Sequence, residues 1–306
     1  MKSSSLKNKV ISMKEAVSGL VKDGDTVVIE GFTHLICFAA GHEIIRQGRK
    51  DLTLARLTPD LIYDQMIAAG VARKLVFSWA GNPGVGSLHA FRRAVEAVPP
   101  RLELEEYSHF GMVARFSAGC ANLPFWVMRD FKGSDIPDAN PLIRSVECPY
   151  TGEELATVPA LRPDVTIIHA QRADKSGNTQ IWGLLGVQKE AAFASQKVIV
   201  AAEEIVDESV VRSDPNRTLI PGFQVSAVVH EPWGAHPSFA QGYYDRDNDF
   251  YVSWDKIARE EASLKKYLDE FVYGVSGRAE YMKKQPGLAE RLGAKDMVCQ
   301  GVNYGY

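Results

Sequence analysis

The chain has 306 residues, 45% of them hydrophobic and 24% charged, with a formal net charge of −3. This balance suits one large or two modest globular domains with a substantial core. It excludes the basic footprint of a nucleic-acid binder, and no run reaches the roughly 18 consecutive apolar residues of a membrane span. The polar start MKSSSLKNK lacks the apolar region of a secretion signal, so a cytoplasmic protein is expected. Cys37, Cys120, Cys148 and Cys299 stand far apart with no CxxC pair. Reduced core or loop thiols are therefore expected, not a disulfide framework or a zinc site.

In chain order, residues 25–32 (DTVVIEGF) form a β-branched run after the turn KDGD, and residues 39–46 have helix spacing. DLTLARL followed by DLIYDQMIAAG repeats the pattern, with Gly70 placed to stop the helix. RKLVFSW, a glycine-rich loop and LHAFRRAVEAV make a third unit. RLELEEY and SHFGMVARFSAGCANL make a fourth, with Ser108 as N-cap. Strands alternating with helices predict an α/β fold: an open, mostly parallel sheet flanked by helices. Residues 129–159 break the rhythm with Pro, Gly and Asp and read as a long ordered loop or flap. Strands resume in DVTIIHA, KVIVAAEEI and VSAVVHE. The last fifty or so residues are charged and helical, and residues 256–275 read as one amphipathic helix on the body.

The glycine loop between the third strand and helix invites three readings. A dinucleotide fingerprint needs G-x-G-x-x-G; here His89 stands where the third glycine belongs. A serine-hydrolase elbow needs G-x-S-x-G, but Ser87 follows Gly86 directly. What survives is a set of backbone amides at residues 82–87, presented to an anion or a developing oxyanion, or a turn with no ligand. A second glycine turn, EGFTHLICF, puts Thr33 and His34 beyond the carboxyl end of the first strand, where ligands collect in open α/β sheets. Glu30 ends that apolar strand, either as a functional carboxylate with a raised pKa or as a partnered edge residue. In HEPWGAH the histidines are six residues apart, and Pro232 and Gly234 forbid the helix a zincin motif requires. Glu203 and Glu204 leave another apolar strand. The acidic cluster they share with Asp207 and Glu208 suits a solvated helix start, and either glutamate suits a positioning or capping role.

The order and spacing of GFT, IIRQGRKDLT, NPGVGSLHAFRR, EEYSHFGM, VTIIHAQRADKSGNTQIWG, AEEI and IPGFQVSAVVHEPWGAHPS resemble the alpha subunit of a family I CoA-transferase, most like the glutaconate type. The resemblance implies one domain over residues 1–306, with the flap at 129–159 and a helical extension at 254–306. It implies transfer of CoA between an acyl-CoA and a carboxylic acid through a glutamyl-CoA thioester. The family carries that glutamate in an S-E-N-G-like motif of the beta subunit, and this chain has no such motif. A beta-subunit partner is therefore implied, with coenzyme A as part of the substrate and no permanently bound cofactor. Gly31, Phe32, Thr33, His34, Asn82, Gly84, Val85, Gly86 and Ser87 would line the substrate pocket. The apolar HLICF and Pro83 suggest a larger or more apolar acyl group than glutaconate. Relatives of this fold also open rings hydrolytically or decarboxylate, and there Glu105, Glu106 or His109 would act as acid or base. An acyl-CoA-sensing subunit is the third reading.

Overall fold

The computed structural model describes residues 7–83 and 85–295. Gly84 and Cys299 lie outside them. Ser12 opens helix α1 (Met13–Leu20) with a capping box: its hydroxyl accepts from the Glu15 N–H, and the Glu15 carboxylate accepts from the Ser12 N–H. Three strand–helix units follow: β1 (Thr26–Glu30) and α2 (Phe38–Arg46), β2 (Leu52–Ala55) and α3 (Leu61–Ala68), β3 (Ala72–Phe77) and α4 (His89–Glu96). The fourth unit is β4 (Glu103–Glu106) and α5 (His109–Cys120), and the Ser108 hydroxyl caps α5 by accepting from the Gly111 N–H.

The predicted flap is a small sheet instead. β5 (Phe125–Met128), the single turn α6 (Ile136–Ala139), β6 (Arg144–Glu147) and β7 (Glu154–Pro159) give an antiparallel order β5-β7-β6. Its pattern was hidden because β6 is exposed throughout, so no apolar alternation marks it. Met128 and Val158 still reach the core beside Phe116 and Met112.

The main sheet resumes with β8 (Val165–Asp174), β9 (Thr179–Gln180), α7 (Gln188–Ala194), β10 (Lys197–Val206), α8 (Glu208–Ser213), β11 (Thr218–Ile220) and β12 (Ala227–His230). Its parallel strands lie in the order β12-β10-β8-β1-β2-β3-β4, while β9 and β11 pair antiparallel at one end of β8. Alternate residues face opposite layers. Val27, Ile29, Leu54 and Leu75 pack with α2, α3 and α4; Val28, Ala55 and Val76 pack with α5 and α7. Each fully buried valine, leucine or isoleucine among them is worth about 1.5–3 kcal/mol.

The expected continuous C-terminal helix starts earlier and is broken. α9 (Asn248–Arg259) and α10 (Glu261–Leu268) meet at an extended Glu260. The Arg93 guanidinium donates to the Ala258 and Arg259 carbonyls and so ends α9. The break lets Trp254 and Ala258 on one helix and Leu264, Tyr267 and Leu268 on the other face one core. A wide π turn leads from α10 towards α11 (Arg278–Lys283) and α12 (Leu288–Leu292).

From β1 the chain moves outward to β4, then returns to lay β8 on the other flank of β1, in register Glu30↔Ile168. The β1/β8 boundary is thus a topological switch point. The crevice beyond its carboxyl ends is where open α/β sheets bind ligands.

Candidate functional site

Three walls surround that crevice, and the first is the turn after β1. Gly31 is needed for space: a Cβ there would meet the His34 and Leu35 carbonyl oxygens at 2.6 and 2.7 Å. Thr33 and Leu35 both hold left-handed backbone, φ 56°, the kind of local strain that concentrates at ligand sites. Phe32 and Thr33 are half-buried. His34 is fully buried, with Nδ1–H donating to the Leu184 carbonyl (3.0 Å) and Nε2 accepting from the Gln241 N–H (3.0 Å). Burial lowers its pKa, so it is a neutral imidazole with both nitrogens committed. Its part in the crevice is to hold the turn.

The second wall is residues 56–60. Arg56 pairs with Asp60 (3.0 Å) and donates to the Gly31 carbonyl, with both side chains almost completely buried. The same segment suspends the second glycine loop. The Ser78 hydroxyl donates to the Leu57 carbonyl (2.6 Å), and the Gly81 N–H donates to Pro59 (3.2 Å). Asn82 is buried and donates to the Tyr251 carbonyl (2.7 Å); Arg246 lies 3.9 Å over the Tyr251 ring and donates to the Pro83 carbonyl. Val85 and Gly86 are exposed and Ser87 is half-buried. The expectations for 31–34 and 82–87 therefore meet on one scaffold, the end of β2. Gly84 falls outside the described residues.

The third wall is built on the middle of β8, one residue past its pairing with Glu30. His169, fully buried, gives Nε2 to Glu203 Oε1 (2.6 Å), and Glu203 also accepts from the Tyr244 hydroxyl (2.5 Å) and the Trp233 N–H (2.8 Å). Burial opposes charge on His169, but Glu203 and the Cys37 sulfur outweigh it and raise its pKa to about 9. Glu203 is thus a positioning carboxylate that ties β8, β10 and the 231–244 loop together. Asp207 caps α8, accepting from the Ser209 N–H.

Glu30, 1% exposed, sits where the walls converge. Burial pushes its pKa up to about 7, against the opposing effects of Arg56 and the Gly31 N–H. Buried polar atoms without partners gather here: Glu30 Oε2, Arg56 Nε, Asp60 Oδ2, Asn82 Oδ1, Gln188 Nε2 and Arg246 Nε. Each such atom costs about 1–3 kcal/mol when left unbonded, and native folds carry few of them.

The alternative acid–base residues are placed differently. Glu105 is committed to Arg115 (2.5 Å), Lys74 (2.6 Å) and the Tyr107 hydroxyl (2.9 Å). Burial works to raise its pKa, but these partners hold it below its ordinary value. It cements β3, β4 and α5 and has no capacity left for substrate. Glu106 is exposed. His109 is exposed at the head of α5, with Nδ1 2.9 Å from Ser78 Oγ. Because the Ser78 proton goes to Leu57, His109 donates from Nδ1. In HEPWGAH, His236 bonds Asp247 (2.9 Å) and the Tyr281 hydroxyl (3.0 Å), while His230 meets the Glu203 carbonyl at 3.2 Å. Arg56, Asp60 and Gln188 were not singled out from sequence. A lone arginine at the end of the apolar strand LTLARL was the available signal for the first.

The fold is an α/β subunit whose parallel strands meet at a topological switch point between β1 and β8. The coenzyme A transferase family matches residues 10–231; the chain belongs to that family and forms one subunit of a CoA-transferase. The A-type subunit of a 3-oxoadipate CoA-transferase from Pseudomonas knackmussii is 54% identical, covering 90% of this chain and 98% of the relative. The crystal structure of glutaconate CoA-transferase from Acidaminococcus fermentans aligns with a TM-score of 0.87 at 32% identity, covering 91% and 93% of the two chains. A structure of the decarboxylase AibA/AibB aligns at 0.73 and 30% identity, covering 85% and 98%. Among the described residues no helix is long and apolar enough to cross a membrane.

Proposed function

We propose that this chain is the alpha-type half of a heteromeric transferase that moves CoA onto a 3-oxo dicarboxylic acid of the 3-oxoadipate class. The observation that carries this reading is the 54% identity, spread over nearly the full length of both chains. The more apolar acyl group expected from HLICF gives way here to a dicarboxylate, because the buried polar groups lie behind the turn and not in its apolar residues.

The partner's glutamate attacks the acyl-CoA thioester and releases CoA thiolate, leaving a mixed anhydride. The thiolate then attacks the glutamyl carbonyl, freeing the first acid and forming glutamyl-CoA. The second acid reverses the sequence and leaves as its CoA ester. A covalent carrier splits one difficult exchange into two easier ones. In this reading Gly31, Phe32, Thr33, Asn82, Val85, Gly86 and Ser87 line the acid's pocket, with His34 holding the turn. Donors aimed at the developing oxyanion typically contribute about 2.7–4 kcal/mol each. Acyl-CoA substrates and the unpaired Cys37, Cys120 and Cys148 fit a reducing cytoplasm.

The test is to purify the chain with its partner, add acyl-CoA and treat with borohydride. A trapped, inactivated complex modified on a partner glutamate is the expected result. Product release with no trapped intermediate would replace this reading with hydrolysis or decarboxylation. Acyl-CoA binding without turnover would point to a sensing role.

A further inference from the structure

An open cleft of about 580 Å³ lies between residues 239–249 and the end of α12, within the size range of small-ligand sites. Two of its lining residues tie it to the turn after β1 and to the loop at 82–87. Phe239 accepts the Leu35 N–H at its carbonyl (2.9 Å) and packs its ring on His34, with centroids 4.6 Å apart. Arg246 donates to the Pro83 carbonyl (3.3 Å) and lies 3.9 Å over the Tyr251 ring. The Tyr251 carbonyl accepts from Asn82 (2.7 Å), so loop, ring and guanidinium form one connected unit.

The charges that line the cleft decide what it accepts. Arg291 is spent on Asp247 and Asp249, 2.9 Å from each. Asp245 and Lys295 are exposed and opposite in sign. The buried Asp60 feels the Arg246 charge, yet its own ion pair is with Arg56. Arg246 is half-buried, and it forms no ion pair with a carboxylate among the described residues. A guanidinium held flat on an aromatic ring has already given up much of its rotamer freedom, and its planar fork matches the paired oxygens of an anion.

We propose that Arg246 binds an anionic group of the substrate in this cleft, either the far carboxylate of the acid or a phosphate of coenzyme A. This rests on the transferase reading and names a residue that sets specificity within it. With the acid as ligand, its reacting carboxylate lies against the turn after β1 and the loop at 82–87, and Arg246 fixes the other end. A site built to pair a polar group rejects the analogue that lacks it, because the site's own polar group is then left unpaired.

The test uses the complex with its beta-type partner and compares kcat/KM for 3-oxoadipate with that for 3-oxohexanoate, the same chain without the second carboxylate. The constant for acyl-CoA is measured alongside, since exchange through a covalent carrier keeps the two half-reactions separate. Arg246→Gln should lower kcat/KM about 10–100-fold for 3-oxoadipate, the worth of a charged hydrogen bond, and no more than about twofold for 3-oxohexanoate. Arg246→Lys keeps the charge without the fork and should recover part of the preference. A loss confined to acyl-CoA supports the proposal with a phosphate as the bound group. An equal loss with the two acids, as expected of a residue that only supports Pro83, overturns it, and so does no loss in any constant. A wild-type complex that refuses 3-oxoadipate overturns the substrate reading alone. The effect of Arg246→Gln on acyl-CoA, and on the acid that is used against its counterpart lacking the far anion, then decides the role of Arg246.

Discussion

Glu30 and Glu105 lie in the same parallel sheet, at or one residue from the carboxyl ends of β1 and β4, and both are buried. Their chemistry diverges. Glu105 has a cation on each side and a tyrosine hydroxyl, and stays ionised. Glu30 has one cation, shared with Asp60, and an oxygen with no partner, and its pKa climbs to about 7. Burial is common to both, so the supply of partners decides which one stays ionised. The difference is topological. β4 is the edge strand, flanked by long cationic side chains from β3 and α5. β1 lies beside the switch point, where the only cation near its end is already shared with Asp60.

The comparison can be broken by removing partners. Arg56→Met should have the largest effect, because it leaves Asp60 buried without its cation. A loss of about 3–5 kcal/mol in urea unfolding is expected; a loss below about 1 kcal/mol would show that the pair does not hold the crevice. Glu105→Gln should cost about 2–3 kcal/mol, since it weakens hydrogen bonds from Arg115 and Lys74, and should leave transfer kinetics within about twofold. A larger kinetic loss would move Glu105 from strut to site.

Stability against pH sharpens the contrast, because the two shifts have opposite signs. The depressed pKa of Glu105 gives stability that is full above its unfolded value of about 4.3 and is lost as pH falls through the lower folded value. The raised pKa of Glu30 means that the folded state holds a proton the unfolded chain has released, so stability declines from about pH 4.3 to about 7. Melting temperatures at pH 3.5, 5 and 8 should separate them. Glu105→Gln should flatten the acid side, and Glu30→Gln should remove the decline between pH 5 and 8, a difference of up to about 3 kcal/mol. The smallest effect should come from His109→Ala. Less than a threefold fall in kcat/KM is expected, about 0.6 kcal/mol; a fall of two orders of magnitude would favour ring-opening chemistry.

Much of the fold was legible because local signals agreed. Alternating strands and helices, the Ser108 cap and the Gly70 stop matched the observed elements. Helix α1 was missed although Ser12 and Glu15 spell a capping box. The sheet at 125–159 was missed because its strands are half-exposed. The single long C-terminal helix failed because Arg93, over 160 residues away in sequence, takes the carbonyls that would have continued α9. The two glycine loops were visible as backbone without side chains, but nothing local showed that residues 56–60 join them.

By itself the sequence determined the α/β class and the transferase family, since periodicity and motif order are local or collinear properties. It also put an odd acid, Glu30, at the end of an apolar strand and left its role open between site and strut. Only the tertiary structure decided its burial and its lack of a partner at Oε2, and likewise the committed nitrogens of His34 and the ion pairs of Glu105. The state of an ionisable group depends on which partners arrive from distant segments and on how completely water is excluded, and neither is written in neighbouring residues.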